Sequence, residues 1–235
     1  MLMGKVFSRP EKLSIYRRRI WFEVEALGFN SISLTAIISA FIGAVVALQM
    51  AITLESPFIP QFMIGYATRE VMVLEFSSTV VALILAGKVG SNIASEIGTM
   101  RITEQIDAME IMGVNSANYL ILPKVVAFMV MMPLLVTLSM FMGLLGGYGI
   151  SAITNVLPIS EYLLGIQYAF IPFYVWYSFI KTVIFAFVIA SMASYYGYYA
   201  RGGALEVGKA STKAVVNSSI VILLLDVVLT NLMLN

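Results

Sequence analysis

The sequence predicts an all-α integral membrane protein, with five membrane helices, an N-terminal interfacial helix and one further short helix on the cytoplasmic side. Three observations carry that prediction. Hydrophobic residues make up 60% of the 235-residue chain and charged residues 11%, against roughly 45–50% and about 25% in soluble domains. Long stretches carry almost no charge, and several approach or reach the ~20 apolar residues that a membrane helix needs. The charges that remain gather between those stretches. Composition also excludes functions. The 14 Lys+Arg and 13 Asp+Glu leave a formal charge of +1, which gives no reason to expect nucleic acid. Without Cys there is no disulfide framework or thiol chemistry. Without His the chain lacks the commonest general base, the commonest zinc ligand and any Ser-His or Cys-His nucleophile pair, and no metal site is expected.

The elements follow in order. From Glu11 to Gly28, Leu13, Tyr16, Ile20, Val24 and Leu27 share one helical face with Arg17, Arg18 and Arg19 beside it. That is the pattern of a helix lying in the interface with its arginines toward headgroups. The N-terminus is basic but lacks an apolar core followed by a small-residue cleavage site, so it is not read as a removable signal. Ser31 to Leu54 is uncharged and forms span one. Val71 to Gly87 contains only Glu75 and forms span two if it continues past Lys88 to Ser95. The uncharged run from Val125 to Ser160 holds span three, whose end the polar Ser151, Thr154 and Asn155 and Pro158 place near Gly149. Ile159 to Phe170, bounded by Pro158 and Pro172, is a short helix at the opposite surface. Phe173 to Tyr199 forms span four around Lys181, and Ala214 to Asn235 forms span five around Asp226.

Orientation follows from Lys and Arg. Lys5, Arg9, Lys12 and the three arginines precede span one; Lys88, Arg101 and Lys124 lie around the connection between spans two and three; Arg201, Lys209 and Lys213 lie between spans four and five. The other two connections hold only Arg69. The N-terminus is therefore expected in the cytoplasm and the C-terminus on the far side. The chain divides into a basic interfacial helix at 1–29 and a five-helix unit at 30–235.

The stretch Gly202 to Ser211, GGALEVGKAS, imitates a phosphate-cradling loop. A true one needs Ser or Thr directly after its Lys, to hold Mg²⁺, and a strand before it. Ala210 follows Lys209 here, and a membrane span comes before. The stretch is read as a glycine-allowed turn at the membrane surface, so any nucleotide that matters is bound by another chain.

Ala86 to Asn115, AGKVGSNIASEIGTMRITEQIDAMEIMGVN, is the most informative segment. Gly87, Ser91 and Ser95 form a ladder of small residues with Ala86, Gly90 and Ala94 beside it, a spacing that lets helices approach closely in a bilayer. Gly98 is expected to break the span, leaving a separate helix from Thr99 to Met112 stopped by Gly113. Ile102, Ile106 and Met109 make its apolar strip, and Arg101, Glu104, Asp107 and Glu110 its charged surface. Such a helix either covers the membrane surface or inserts into a groove on a motor subunit.

This segment resembles the hallmark of the MlaE (YrbE) permeases, the membrane subunits of ABC systems that move phospholipid between the inner and outer membranes of double-membraned bacteria, with relatives in the chloroplast envelope. The resemblance extends through IKTVIFAF in span four, RGGALEVGKASTKAVVNSS and the final LDVVLTNLM. It implies a transport subunit rather than an enzyme, acting as a homodimer with separate ABC ATPase subunits and MCE-domain lipid-binding proteins in the inner membrane. ATP and Mg²⁺ are then expected in the ATPase, with no cofactor in this chain. It also implies that 99–112 is a cytoplasmic coupling helix, with Glu96, Arg101, Glu104, Asp107 and Glu110 contacting the ATPase. One departure is Leu74-Glu75-Phe76-Ser77-Ser78, where many members carry Arg-Glu-Leu-Gly-Pro; any role of that Arg or that kink is in doubt here.

Glu75, Lys181 and Asp226 are the ionisable groups expected inside the bilayer, where a charge costs about 2.5–3.5 kcal/mol on insertion scales. At ~1.5 Å per residue, Lys181 and Asp226 lie at similar depths, ~12 to ~14 Å from the far-side ends of their spans. Lys181 is expected either to pair with Asp226 or to face a cavity and attract a lipid phosphate. Leu48, Met50, Val80 and Leu83 are candidate lipid-pocket residues, and Gly143-x-x-x-Gly147 a candidate helix contact. Two other functions fit the sequence less well. An intramembrane lipid-modifying enzyme using Glu75 or Lys181 is disfavoured because no carboxylates cluster in the spans. A channel is disfavoured by the scarcity of polar rings.

Overall fold

The structure is a computed structural model that describes residues 2–6, 13–154 and 157–234. Arg9, Glu11, Lys12, Asn155 and Asn235 lie outside the described residues, as do the side chains of Lys5 and Leu13. All the regular structure among the described residues is helical. In chain order the helices are α1 (Leu2–Val6), α2 (Leu13–Glu23), α3 (Asn30–Thr53), α4 (Phe62–Val71), α5 (Val81–Leu85), α6 (Ser91–Ile102), α7 (Gln105–Ile111), α8 (Ser116–Thr154), α9 (Ile159–Gln167), α10 (Phe173–Tyr198) and α11 (Ala204–Leu234). Wider π-helical turns at Val24–Phe29, Met72–Val80 and Ala86–Gly90 join neighbours without a break. Five helical stretches are thereby long and apolar enough to cross a membrane: Tyr16–Thr53, Phe62–Ile102, Ser116–Thr154, Phe173–Tyr198 and Ala204–Leu234.

Several ends differ from the sequence-based expectation: spans two, three and five begin earlier, at Phe62, Ser116 and Ala204, and three further ends have a reason in the local contacts. The interfacial helix is not separate, because the backbone stays helical from Leu13 through Thr53. Gly28, expected as its end, is instead a packing site, where any Cβ would collide with the side chain of Met131. Span three runs on to Thr154 rather than ending near Gly149, since the hydroxyls of Ser151 and Thr154 donate back to the carbonyls of Gly147 and Ile150, at 2.9 and 2.8 Å. Polar residues of this kind satisfy themselves on the helix instead of ending it. Span two passes Gly98 and continues to Ile102.

The chain forms two compact units. One comprises Met1–Asn30, Ala82–Met132 and Thr182–Asn235. Its buried core takes Leu85, Ile93 and Ile97 from span two, Leu120, Ile121 and Phe128 from α8, and Phe185 and Ile189 from α10. The small-residue ladder operates here with a shifted face. Gly87 is exposed and has nothing near it, whereas Gly90 lies against Ile189 and Ala193, and a Cβ on Gly197 would come within 2.7 Å of the Ala94 carbonyl. Ser91 meets α11 through a 2.8 Å bond to the Ser211 hydroxyl. The Gly202–Gly203 turn, with Gly202 at φ 107°, leads directly into α11. Gly208 and Lys209 therefore lie inside a helix, with Lys209 donating to Glu206 at 2.6 Å.

The other unit comprises Ser31–Val81 and Pro133–Lys181. Glycine lets α3 and α8 touch backbone to backbone: a Cβ on Gly43 would overlap the Gly143 carbonyl, and one on Gly146 the Ala40 carbonyl. A 2.8 Å bond between the Ser39 and Ser139 hydroxyls fastens the same crossing. Gly147 instead accommodates the ring hydroxyl of Tyr162, which is fully buried with Ala47, Ala51, Ile64 and Leu157. Burial pushes the Tyr162 phenol above its ordinary value, and the hydroxyl donates to the Leu144 carbonyl at 3.1 Å.

Candidate functional site

The connection between spans two and three is built on two left-handed corners. α6 ends at Ile102, and the turn is closed by Thr103, whose N–H and hydroxyl both donate to the Thr99 carbonyl, and by the Glu104 N–H donating to Arg101. Glu104 adopts φ 60°, Gly113 φ 78°, and the seven-residue α7 lies between them. A non-glycine residue in that region costs roughly 1–2 kcal/mol, so the surrounding contacts must impose it. Gly98, expected as the break, is occupied in packing: a Cβ there would sit 2.9 Å from Val207 Cγ1.

The predicted apolar strip anchors α7 through Ile106, which is fully buried. At its end Ile111 and Met112 are 88% and 71% exposed. The five residues expected to contact an ATPase do not share one environment. Glu104 is exposed, and Asp107 accepts from Arg101 Nη1 at 2.6 Å with about half of its side chain exposed. Glu110 is exposed as a residue, yet its Oε1 accepts from the Ser116 hydroxyl at 3.0 Å and the Tyr198 hydroxyl at 2.8 Å. Glu96 lies 2.7 Å from Lys124 Nζ.

Lys124 is a site residue that the sequence argument missed. It was assigned to a basic connection, yet it lies within α8, 1% exposed, with Nζ donating to both oxygens of the buried Glu23 at 2.8 and 2.9 Å. Two carboxylates thus converge on one ammonium, tying α2, α6 and α8. The available signal was its context, a single Lys between Pro123 and the apolar run Val125-Val126-Ala127-Phe128.

In the other unit, the intramembrane charges are arranged around the π-helical stretch Met72–Val80. Lys181 is fully buried and donates to Glu75 Oε2 at 3.0 Å, with Nζ 4.8 Å from the Tyr177 ring centroid. This partner differs from the two expected from the sequence, Asp226 and a lipid phosphate. A π register shifts acceptors by one residue and disturbs the ordinary i to i−4 pairing. Side chains of α10 reach the carbonyls there: Ser178 donates to Val73 at 2.5 Å and Lys181 to Leu74 at 3.4 Å. Ser78 adds bonds to the Leu74 and Glu75 carbonyls at 3.3 and 3.2 Å. Ser77-Ser78 thus accompanies a local widening of the helix. Asp226 lies half-buried on α11.

Arg69, noted in the sequence only as the lone base of its connections, is buried and donates to three carbonyls at and just beyond the end of α9: Ile166 at 2.7 Å, Tyr168 at 2.8 Å and Ala169 at 3.4 Å. Glu70 pairs with it at 2.6 Å, and Tyr66 and Phe170 offer their rings at 5.0 and 5.6 Å. Ala169, at φ 46°, is the second non-glycine left-handed residue described.

The lipid-pocket candidates Leu48, Met50, Val80 and Leu83 are each half-buried. Met50 packs on the Tyr162 cluster. Leu48, Met50 and Val80 belong to one unit and Leu83 to the other. A cavity of about 450 Å³ after α3 is lined by Ala51, Leu54, Glu55, Gln61 and Ile64 among others, and by none of the four candidates.

The family profile described as Permease MlaE matches residues 20–232. The chain belongs to the MlaE permease family. A protein of Rickettsia bellii named "Probable ABC transporter permease protein" is 37% identical over 232 residues, covering 97% of this chain and 89% of its own. A Synechocystis protein described in the same terms is 32% identical over 239 residues, covering 99% and 88%. The Arabidopsis thaliana protein trigalactosyldiacylglycerol 1, chloroplastic, is 28% identical over 238 residues, covering 98% of this chain and 66% of its own. This MlaE-family chain is therefore a multi-pass membrane permease subunit, a transport protein rather than an enzyme. Its ABC character implies an ATPase partner.

Proposed function

We propose that this permease carries phospholipid between the inner and outer membranes of a double-membraned bacterium, as a homodimer whose two copies enclose the lipid. ATP and Mg²⁺ bind in a separate ABC ATPase on the cytoplasmic side, and MCE-domain lipid-binding proteins receive or deliver lipid on the other. Nucleotide binding in the motor shifts the permease between states that hold and release lipid. The chain's own contribution is to receive the motor's displacement and convey it to the spans. An apolar cargo agrees with the predominantly apolar spans, and the chloroplastic relative bears the name of a glycerolipid.

The observation that carries this reading is α7. It is too short and too charged to cross a membrane, is pinned inward by Ile106, and leaves Glu104, Asp107, Ile111 and Met112 at the surface between two membrane helices. The test is ATPase activity of the co-purified complex in lipid nanodiscs, comparing wild type with a Glu104→Lys/Asp107→Lys variant. The expected outcome is loss of the ATPase subunit, or of lipid-stimulated hydrolysis, from a chain that still elutes as a folded dimer. Normal copurification and coupling would move the contact to residues 202–213.

A further inference from the structure

α7 poses a mechanical problem. A seven-residue helix hung between left-handed corners at Glu104 and Gly113 has a hinge at each end, so a push delivered to it would rotate it rather than move the spans. What resists rotation must be side-chain contacts: the buried Ile106 and two polar fastenings. On the α6 side Arg101 holds Asp107 at 2.6 Å. On the other side Glu110 Oε1 lies 2.8 Å from the Tyr198 hydroxyl and 3.0 Å from the Ser116 hydroxyl, and those two hydroxyls are 2.9 Å apart. Ser116 begins α8 and Tyr198 ends α10, so the triangle joins α7 to two membrane helices. The Arg101 guanidinium lies 5.8 Å from the Tyr198 ring centroid, bringing both fastenings to the same aromatic side chain.

The chemistry of the triangle is directional. Two hydroxyls bring two protons and the ionised carboxylate brings none, so Glu110 is the acceptor on which both protons can converge. Hydrogen bonds to an ionised acceptor are roughly twice as strong as neutral ones. Phenol and hydroxyl are both buried, which limits competition from water on the donor side, while the carboxylate that accepts from them is exposed.

We propose that Glu110, clasped by Ser116 and Tyr198, is a positioning residue that transmits displacement of α7 to α10, the helix that also carries Lys181. Glu110 thereby acts through contacts within the permease, although it stands at the exposed surface of α7. The proposal rests on the permease reading and assigns a route for its coupling: from the exposed end of α7, through one carboxylate, to the end of α10, bypassing the connection at 112–115. Tyr198 is the informative partner to change, because Tyr198→Phe keeps the ring that faces Arg101 and removes only the hydroxyl.

The test has two arms. Because the chain contains no cysteine, spin labels can be placed through Met112→Cys and Tyr199→Cys in the full-length chain and their separation measured by electron-resonance distance methods. The distribution is expected to broaden on Tyr198→Phe and on Ser116→Ala. In nanodiscs with the co-purified ATPase, both variants should retain the ATPase and its hydrolysis while fluorescent phospholipid moved per ATP falls about fivefold, within the range of intramolecular coupling. A purely structural hydroxyl would lower yield and hydrolysis together and leave that ratio unchanged. An unchanged ratio or an unbroadened distribution in a folded variant overturns the clasp. If Tyr198→Phe fails to fold, Ser116→Ala decides alone. A wild-type chain that retains no ATPase overturns the permease reading and the transmission role with it, a case recognised because the spin labels still report a narrow, clasped α7.

Discussion

Lys124 shows how far a single residue can exceed its apparent role. Its ammonium neutralises one of two convergent carboxylates and holds the other in place. Lys124→Met would leave Glu23 and Glu96 facing each other with Glu23 almost fully buried. Breaking a buried ion pair from one side costs about 3–5 kcal/mol, so this variant should lose most of its folded yield in detergent. Glu96→Gln should cost much less, about 0–1 kcal/mol, because that side chain is 44% exposed and an exposed pair contributes little. Thermal unfolding followed by tryptophan fluorescence would rank the two; equal losses would mean that Glu96 is held as tightly as Glu23. Arg69 permits a parallel test. Lysine keeps the charge but cannot reach three carbonyls with a planar fork, so Arg69→Lys should cost about 1–3 kcal/mol. The loss should be local, seen as faster proteolysis and hydrogen exchange at residues 166–172.

At the scale of elements, glycine decides which helices can meet. Gly43→Val or Gly146→Val would drive a side chain into backbone of the opposing helix, and backbone has nowhere to move. Both should abolish the folded protein as judged by size-exclusion profile, whereas Gly87→Ala, with nothing within reach, should gain about 0.5–1 kcal/mol from helix propensity. A tolerated Gly146→Val would show that α3 and α8 are not in backbone contact. The contrast also explains what the sequence could reveal. All five spans were legible because an unpaired charge in lipid is costly enough to keep the runs clear. Helix ends were less legible: Gly28 and Gly98 look like stops by local propensity, yet both are occupied in tertiary packing against Met131 and Val207. Ion pairing was least legible, since Glu75 and Lys181 are 106 residues apart and periodicity within one helix cannot report what faces it from another. The charged surface of α7 could be read directly, but the bond that Glu110 accepts could not, since its donor Tyr198 is brought from a different span.

At the scale of the whole molecule, the five candidate spans among the described residues would, if all cross, place the two termini on opposite sides of the membrane, and the distribution of basic residues predicts which is which. Arg69 does not weaken that choice, since a single buried guanidinium bound to three carbonyls is a structural fastening rather than one of a cluster of surface charges. The absence of native cysteine makes the orientation measurable without a background reaction. Phe58, 95% exposed between α3 and α4, and Met112, 71% exposed after α7, lie on either side of the candidate span Phe62–Ile102. In intact spheroplasts a membrane-impermeant maleimide should label Phe58→Cys and leave Met112→Cys unlabelled until the membrane is opened. The reverse pattern would put α7 outside the cell, where no ATP-hydrolysing partner could reach it. Labelling of both in intact spheroplasts would mean that Phe62–Ile102 does not cross, and the five-span topology would fall with it.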